Sequence, residues 1–388
     1  MASSVIPGIV SALLRALPQG RGPFALHEPE FNGREREYLA QCIDTGWVSS
    51  AGAFVDRFER DLAQYTGATA AVAVMNGTAA LHLALHLAGV QPGDEVLVPS
   101  LTFIATANAV TYSGAIPHFV DSEPVSCGVD AAKLAEYLSS HTASSATGLI
   151  NRVTGRPVRV LVVMHAFGHP ADLDELLAVC QKFGLTLIED GAESLGSFYK
   201  GRHTGRHGRI STLSFNGNKV VTTGGGGALL FQESDLAQRA KHLSTTAKLA
   251  HKWTFYHDEI GYNYRLPNLN AALGCAQLEQ LPGMLLRKRA LATRYAEVLE
   301  GVAGLTFLQE PAYARSNYWL NAIQLDDEHI GMRDELLRAC HLAGILARPV
   351  WNLMHTLPMY QDCPRMELSC ATHLERSLIN LPSSPALA

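Results

Sequence analysis

Short apolar runs alternate with amphipathic segments through the first two thirds of the chain. Seven near-continuous apolar runs predict buried strands, at residues 71–75, 95–99, 116–120, 158–164, 186–190, 210–215 and 227–231. Helical periodicity separates most of these runs, at residues 78–88, 104–113, 131–139 and 173–183. Buried strands that alternate with helices are typical of a largely parallel sheet covered on both faces. We therefore predict an α/β fold whose site lies at the carboxyl ends of the strands.

The pattern changes beyond the seventh run. Long helical patterns, a further helix and two short strand candidates follow, at residues 269–281, 284–299, 332–343, 318–325 and 346–350. We predict an N-terminal amphipathic helix and lead-in (1–30), a large domain built on the strand-and-helix pattern (31–282) and a smaller C-terminal α/β domain (283–388). The boundary is expected near Pro282, and residues 139–154, rich in small polar side chains, are expected to form a loop.

The beginning of the chain is apolar but does not resemble a targeting segment. Residues 5–17 have no basic region before them and are interrupted by Pro7, Gly8 and Arg15. We expect an amphipathic helix that packs on the body of the protein, because a signal peptide needs an uninterrupted apolar core behind basic residues.

Composition narrows the class of function. The 388 residues are 47% hydrophobic and carry a formal net charge of −5, so the chain can bury a large core and lacks the basic footprint of a protein that binds nucleic acid or anionic membranes. The seven cysteines are scattered and contain no Cys-x-x-Cys pair. They predict reduced thiols and a cytoplasmic location.

Candidate chemistry centres on Lys219. It ends the run SFNGNK that begins at Ser214 and is followed by TTGGGG (222–227), while Asp190 closes an upstream apolar strand. An unprotonated lysine amine can condense with an aldehyde, and an aspartate that keeps a pyridine nitrogen protonated makes the ring an electron acceptor. Singly, a strand-end aspartate is more often a turn residue and a lysine is usually solvated. Together with a nearby hydroxyl and a glycine tract, they predict a site for pyridoxal 5′-phosphate (PLP).

A second element suited to phosphate follows the first strand. The sequence NGTAAL (76–81) opens a helical pattern, so the Gly77 and Thr78 amides are expected at a helix N-terminus, where unpaired amides and the helix dipole favour an anion. An ordinary N-cap would have the same sequence.

Two histidine pairs and a basic loop have less specific patterns. His82 and His86, and likewise His165 and His169, are four residues apart, but the first pair lacks a third ligand and the second spans a turn, so we expect no metal. The loop 199–209 (YKGRHTGRHGR) carries several basic residues that either are solvated or meet a substrate diphosphate.

Several separated motifs carry a family resemblance from about Phe24 to the C-terminus. They are GWVSSAG (46–52), NGTAAL (76–81), TFIATAN (102–108), EDGAESLG (189–196), SFNGNK (214–219), GYNYR (261–265) and NLPSS (380–384). Together they resemble the DegT/DnrJ/EryC1/StrS family of nucleotide-sugar aminotransferases. Within that family, FNGNK before four glycines is most similar to the branch that makes N-acetylbacillosamine and legionaminic acid precursors.

The resemblance implies a type I PLP-dependent aminotransferase fold, with a mainly parallel seven-stranded sheet, and a homodimer with active sites at the subunit interface. It assigns Lys219 the covalent link to the cofactor, Asp190 the pyridine nitrogen and Glu193 the region of the ring hydroxyl. It also implies phosphate contacts from Gly77, Thr78, Ser214 and, across the dimer, Asn263, with Phe103 stacked on the ring. Gly191 departs from the commoner Asp-Ala-Ala-Glu wording but leaves these contacting side chains in place.

The implied reaction is a two-step transamination. L-Glutamate would supply the amine, and the acceptor would be the C4 ketone of a nucleotide-linked 4-keto-6-deoxy (2-acetamido) sugar, with UDP as the expected carrier, for surface glycan or nonulosonic acid synthesis. A GDP-linked, dTDP-linked or 3-keto sugar stays open. A PLP-dependent sugar dehydratase is a further alternative, against which Lys219 argues because the dehydrating relatives carry histidine. A non-catalytic regulator would need a spare domain, and Gly224–Gly227 does not fit the dinucleotide motif of a dehydrogenase.

Overall fold

The computed structural model describes residues 2–20, 22–146 and 148–388. The helices are α1 Ala2–Ala16, α2 Glu35–Thr45, α3 Ala53–Thr66, α4 Gly77–Leu87, α5 Ile104–Tyr112, α6 Ala131–His141, α7 Leu173–Phe183, α8 Ser234–Ser244, α9 Asn268–Leu299, α10 Arg333–Leu342 and α11 Ser369–Ser377. The strands are β1 Ala70–Val74, β2 Glu95–Pro99, β3 Ile116–Val120, β4 Thr142–Ser145, β5 Gly148–Asn151, β6 Val158–Met164, β7 Thr186–Asp190, β8 Phe198–Tyr199, β9 Arg202–His203, β10 Ile210–Ser214, β11 Gly227–Phe231, β12 Leu305–Phe307, β13 Ala314–Arg315, β14 Asn321–Leu325, β15 Arg348–Pro349 and β16 Leu378–Leu381.

The large sheet determines where the site lies. Its strand order within the described residues is β1-β11-β10-β7-β6-β2-β3, and β11 is antiparallel to the other six strands, which share one direction. The strands are almost wholly buried because helices cover both faces. Asp190, the last residue of the central strand β7, lies opposite Met164 of β6 and Thr212 of β10. The predicted α/β fold with a mainly parallel seven-stranded sheet is confirmed.

Helix α9 corrects one prediction. The helical patterns on either side of Pro282 form a continuous helix, Asn268–Leu299, with the proline inside it. A proline removes one backbone hydrogen bond, but buried side chains continue on both sides, including Leu278, Leu281, Met284 and Leu291. Their burial against two cores outweighs the lost bond. The expected domain boundary near Pro282 therefore falls within a helix, and the division into domains stays a prediction.

Two apolar cores meet along α9. The first surrounds the large sheet and takes in the earlier part of the helix, through Leu281. The second joins the later part of the helix to α1, α10 and a small antiparallel sheet with the order β12-β14-β16-β15. Ile9 and Leu13 of α1 are fully buried in this second core. The N-terminal helix is therefore an integral part of the packed structure.

Residues 139–154 are not a loop, contrary to expectation. Helix α6 continues to His141, and β4 pairs with β5 in a hairpin between Thr142 and Asn151. Two of the polar side chains bind the buried carboxylate of Glu95, which accepts hydrogen bonds from Asn151 Nδ2 at 2.8 Å and from Thr154 Oγ1 at 2.6 Å. Such bonds offset the cost of burying a charge.

Within the described residues, each helix is too short or too polar to span a membrane.

Candidate active site

A cavity of about 270 Å³ opens at the carboxyl edge of the large sheet. Most of the residues predicted for the site line it, namely Gly77, Thr78, Phe103, Asp190, Glu193, Ser214 and Lys219. They come from the ends of β1, β2, β7 and β10 and from the connections that follow. The topology thus gathers residues up to 142 positions apart, from Gly77 to Lys219, into one pocket.

Asp190 is a buried carboxylate at the floor of this cavity. Its Oδ2 accepts a hydrogen bond from the Thr106 hydroxyl at 2.8 Å, and its Oδ1 accepts one from the Ala192 amide at 3.2 Å. Burial raises the pKa of Asp190, while the hydrogen bond from Thr106 and the charge of Lys219 oppose that shift. A buried carboxylate held by neutral donors favours a cationic partner in the cavity.

Glu193 and Lys219 also line the pocket and contact each other. Lys219 Nζ donates to Glu193 Oε1 at 3.4 Å, and Glu193 Oε2 accepts from the Phe167 amide at 2.9 Å. Burial raises the pKa of Glu193 to about 7, although the charge of Lys219 lowers it. The carboxyl group can therefore change protonation near neutral pH.

The N-terminus of α4 forms the anion-binding end. Asn76 caps the helix, since its Oδ1 accepts from the Ala79 amide at 2.8 Å, and its carbonyl accepts from the Ala80 amide. Over the chain as described, the Gly77 and Thr78 amides have no internal acceptor. A Cβ on Gly77 would lie 3.0 Å from Ser214 Cβ, so the glycine lets the helix start approach the hydroxyl of β10.

The glycine tract has a related packing role. A Cβ on Gly227 would lie 2.5 Å from the Asn76 carbonyl carbon and 2.7 Å from the Gly77 nitrogen, both of which are backbone atoms. Only glycine lets the start of β11 cross the turn that leads into α4. The tract thus supports the anion site by packing against the backbone of Asn76 and Gly77. Gly225 and Gly226 line the cavity.

Aromatic side chains surround the pocket. Phe103, predicted from sequence, is about half exposed and lines it. Trp319 and Trp351 also line it and were missed by sequence reasoning. They come from C-terminal segments, where no local pattern distinguishes a pocket residue from a core residue. Thr106 was missed as well, although it lies inside the quoted motif at 102–108.

Asn263 is the predicted site residue that does not line the cavity. Its side chain is exposed, and its Oδ1 accepts from Arg265 Nη2 at 3.2 Å and from Arg265 Nε at 3.4 Å. The segment around it is held to the body through backbone bridges from Thr245 to Asn263 and from Val74 to Arg265. Its expected contact with a cofactor phosphate across a dimer stays a prediction.

The histidine pairs considered as metal ligands differ in the hydrogen bonds of their rings. Some rings have protein partners, and the His169 ring has none among the described residues. His82 Nδ1 is 2.9 Å from the Tyr264 hydroxyl. The Ala171 amide donates to His165 Nδ1, so His165 Nε2 carries the proton that it shares with Glu189 Oε2 at 3.1 Å. His169 is buried with both ring nitrogens unpartnered in the part of the chain that the structure describes.

The basic loop 199–209 does not border the cavity. Arg209 pairs with Glu233, and Arg206 packs over Gly67. Backbone amides of Gly205, His207 and Gly208 donate to Glu189. The alternative in which this loop meets a substrate diphosphate finds no support in these contacts.

The chain matches known proteins along nearly its full length. The model of the DegT/DnrJ/EryC1/StrS aminotransferase family matches residues 29–388. GDP-perosamine synthase of Escherichia coli O157:H7 is 36% identical over 365 residues, 94% of each chain, and GDP-perosamine synthase of Caulobacter vibrioides is 35% identical over 360 residues, 92% of each chain.

Among solved structures, the aminotransferase TlmJ from Streptoalloteichus hindustanus superimposes with a TM-score of 0.84 at 29% identity, covering 94% of each chain. The buried carboxylate, amine and helix N-terminus of the cavity suit the pyridine, aldehyde and phosphate groups of the cofactor that this family uses. The chain belongs to the DegT/DnrJ/EryC1/StrS aminotransferase family and is a PLP-dependent aminotransferase.

Proposed function

We propose that this enzyme transfers an amino group from L-glutamate to the C4 ketone of a nucleotide-linked 4-keto-6-deoxy sugar. The observation that carries the proposal is the convergence of Asp190, Glu193 and Lys219 on one cavity beside the α4 N-terminus, in a member of an aminotransferase family. The relatives named GDP-perosamine synthase match more than nine tenths of the chain. They support a nucleotide-sugar substrate.

The residues of the pocket divide between holding and tuning the cofactor. When bound, PLP supplies an acceptor for the electron pair released as a proton leaves the substrate carbon. Asp190 would hold the proton of the pyridine nitrogen, because a buried carboxylate is stabilised by a cationic partner. The Gly77 and Thr78 amides and the Ser214 hydroxyl would bind the phosphate, and Phe103 would stack on the ring.

Lys219 would hold the cofactor between turnovers and move the proton during them. Its amine lies within 3.4 Å of Glu193 Oε1, so a protonated amine has a carboxylate beside it. A carboxyl group with a pKa of about 7 can also share a proton with the ring hydroxyl of the cofactor. Lys219 thus supplies the acid-base group, and Glu193 supplies the opposite charge beside it.

The nucleotide carrier has two candidates. The GDP-perosamine synthases, at 35% and 36% identity, favour a GDP-linked sugar. A UDP-linked 2-acetamido sugar is favoured by FNGNK at 215–219, which resembles the bacillosamine and legionaminic acid branch.

We further propose that the working enzyme is a homodimer in which Asn263 of one subunit reaches the cofactor phosphate of the other. Support comes from Asn263 itself, which is exposed and lies on a segment anchored beside α4. Cytoplasmic synthesis fits the seven free thiols.

The experiment is incubation of the purified, cofactor-loaded enzyme with L-glutamate and 4-keto-6-deoxy sugars linked to GDP, UDP or dTDP. Mass spectrometry of the products should show replacement of the ketone by an amine, with 2-oxoglutarate formed in equal amount. The preferred carrier separates the two nucleotide candidates. If no keto sugar is aminated although the cofactor is bound, the proposed function is wrong.

A further inference from the structure

The amine of Lys219 rests on the face of an indole ring. Its Nζ lies 3.8 Å from the centroid of the Trp319 ring, while Glu193 Oε1 lies 3.4 Å from the same nitrogen. The face of an indole carries negative electrostatic potential and attracts an ammonium group, most strongly where water is excluded. The side chain of Lys219 is only 12% exposed, so this attraction is weakly screened.

Trp319 is held in place by hydrogen bonds at both its side chain and its backbone. Its Nε1 donates to the Asn218 carbonyl at 2.8 Å, next to Lys219 in sequence. Its backbone amide donates to Asn317 Oδ1 at 2.8 Å. These bonds fix the plane of the ring relative to the lysine.

A second lysine holds the backbone of Trp319 from the core. Lys288 of α9 is fully buried and donates to the Trp319 carbonyl at 3.1 Å and to the Ser383 carbonyl at 2.5 Å. Burial lowers the pKa of Lys288 well below its ordinary value. Among the described residues its acceptors are these two carbonyl oxygens, so the buried amine holds two chain segments together. It connects the segment of Trp319 to the C-terminal segment of Ser383.

We propose that Trp319 is a positioning residue that seats the protonated amine of Lys219 when that amine is not joined to the cofactor. The inference rests on the proposed function, in which Lys219 is released and moves the proton. A lysine side chain is long and flexible, and proton transfer needs it within hydrogen-bond reach of its target. The indole face and Glu193 confine the amine to the cavity from two sides.

The test varies the electron density of the ring without changing its shape. The four tryptophans are replaced with mono-, di- and trifluorinated tryptophan during expression, and the cofactor is then removed. Acetylation of Lys219 by acetic anhydride at fixed pH is followed by peptide mass spectrometry. Fluorine withdraws electron density from the ring face, so the ammonium form loses stabilisation and the free amine reacts faster. We expect the acetylation rate of Lys219 to rise in steps, by about three- to tenfold from unlabelled to trifluorinated protein.

Two references make the result specific. Lys182, which lies over the Phe183 ring at 4.9 Å, should react at a constant rate because phenylalanine is not fluorinated. The same labelling of Trp319→Phe protein should leave the reactivity of Lys219 unchanged, because the ring against this amine is then a phenylalanine that carries no fluorine.

The proposal would be overturned if the acetylation rate of Lys219 did not change with fluorination in the natural protein, or if it rose equally in Trp319→Phe protein. As a second measurement, the kcat of unlabelled Trp319→Phe should stay close to that of the natural protein, whereas the kcat of Trp319→Leu should fall. The KM for the keto sugar should be similar in both variants. Equal loss in both variants would also count against it. Acetylation is measured without cofactor or substrate, so it tests the contact between Trp319 and Lys219 even if the enzyme aminates no keto sugar. A failure of this proposal can therefore be distinguished from a failure of the proposed function.

Discussion

The cofactor pocket and the segment from Thr245 to Arg265 carry predicted site residues in very different surroundings. In the pocket, Asp190, Glu193 and Lys219 are buried or nearly so and have partners within the chain. In the segment, Asn263 is exposed, and so are several large apolar side chains, namely Leu249, Trp253, Phe255, Tyr256 and Ile260. One chain supplies the residues that line the cavity. The partners that we propose for the segment lie on a second chain.

The exposed segment is nevertheless well anchored. Tyr262 and Tyr264 stack at 5.0 Å, and Tyr264 reaches His82 of α4 through its hydroxyl group. A backbone bridge joins Arg265 to Val74 of β1, and a second bridge, between Thr245 and Asn263, closes the segment on itself. A large apolar surface on an ordered segment favours an interface with another protein. The comparison therefore yields predictions of two kinds, within a chain and between chains.

The strongest test of the pocket is Lys219→Ala. We expect loss of the visible absorbance that marks covalently held cofactor and a fall in transamination of about a thousandfold or more, because proton transfer by a positioned base contributes about 10² to 10⁴. Absorbance spectra and product formation measure the two effects. The matched control is Lys182→Ala, a change in the last turn of α7 that should leave both unchanged. An intact absorbance band in Lys219→Ala would contradict the assignment.

Asp190→Asn should have the next largest effect. The amide cannot stabilise a protonated pyridine nitrogen as a carboxylate does, so turnover should fall about a hundredfold while some cofactor is retained. Cofactor content by absorbance and kcat by product formation separate binding from rate. Thr106→Val, which removes the 2.8 Å hydrogen bond to Asp190 Oδ2 and the 3.0 Å contact with the Thr102 hydroxyl but keeps the carboxylate, should reduce turnover much less. Near-normal turnover in Asp190→Asn would show that the carboxylate is not needed.

Glu193 gives the pocket a pH-dependent stability in the cofactor-free protein. Its pKa is raised to about 7 in the fold from an ordinary value of 4.5. Between these values the folded state binds more protons, so its contribution to stability falls as pH rises from 4.5 to 7 and is level outside that window. Glu193→Gln should therefore gain stability relative to the natural protein, by about 3 kcal/mol at pH 8 and close to zero below pH 4.5. Urea unfolding of both proteins across this range provides the measurement, and a pH-independent difference would contradict the raised pKa.

The segment is tested by Asn263→Ala. Loss of a hydrogen bond to a charged phosphate should weaken cofactor affinity by about 1.5 to 3 kcal/mol, tenfold or more, without unfolding the chain. Mixing Asn263→Ala chains with Lys219→Ala chains then asks whether the residue acts across subunits. In a mixed dimer one site would carry both changes and the other would carry neither, so activity should exceed that of either parent. If mixed dimers form and no activity returns, Asn263 acts within its own subunit or not at the site.

Much of the fold could be predicted because its signals are local. The strands of the large sheet lie within one residue of the apolar runs, and α7 matches its pattern at both ends. Buried strands and amphipathic helices follow from the spacing of apolar residues along the chain. Seven of the eight predicted site residues line the cavity, since strand-end residues of one sheet meet at one edge, whereas Asn263 does not.

What the tertiary structure decided depends on contacts between distant segments. The insertion of β11 between β1 and β10, against their direction, follows from how the sheet packs. Helix α9 continues through Pro282 because two separate cores bury it on both sides. Trp319 reaches Lys219 from a hundred residues away, held by Lys288 of α9. Local periodicity shows that such side chains are buried, but their neighbours are chosen only when the layers pack, because packing energy depends on shapes that meet across the fold.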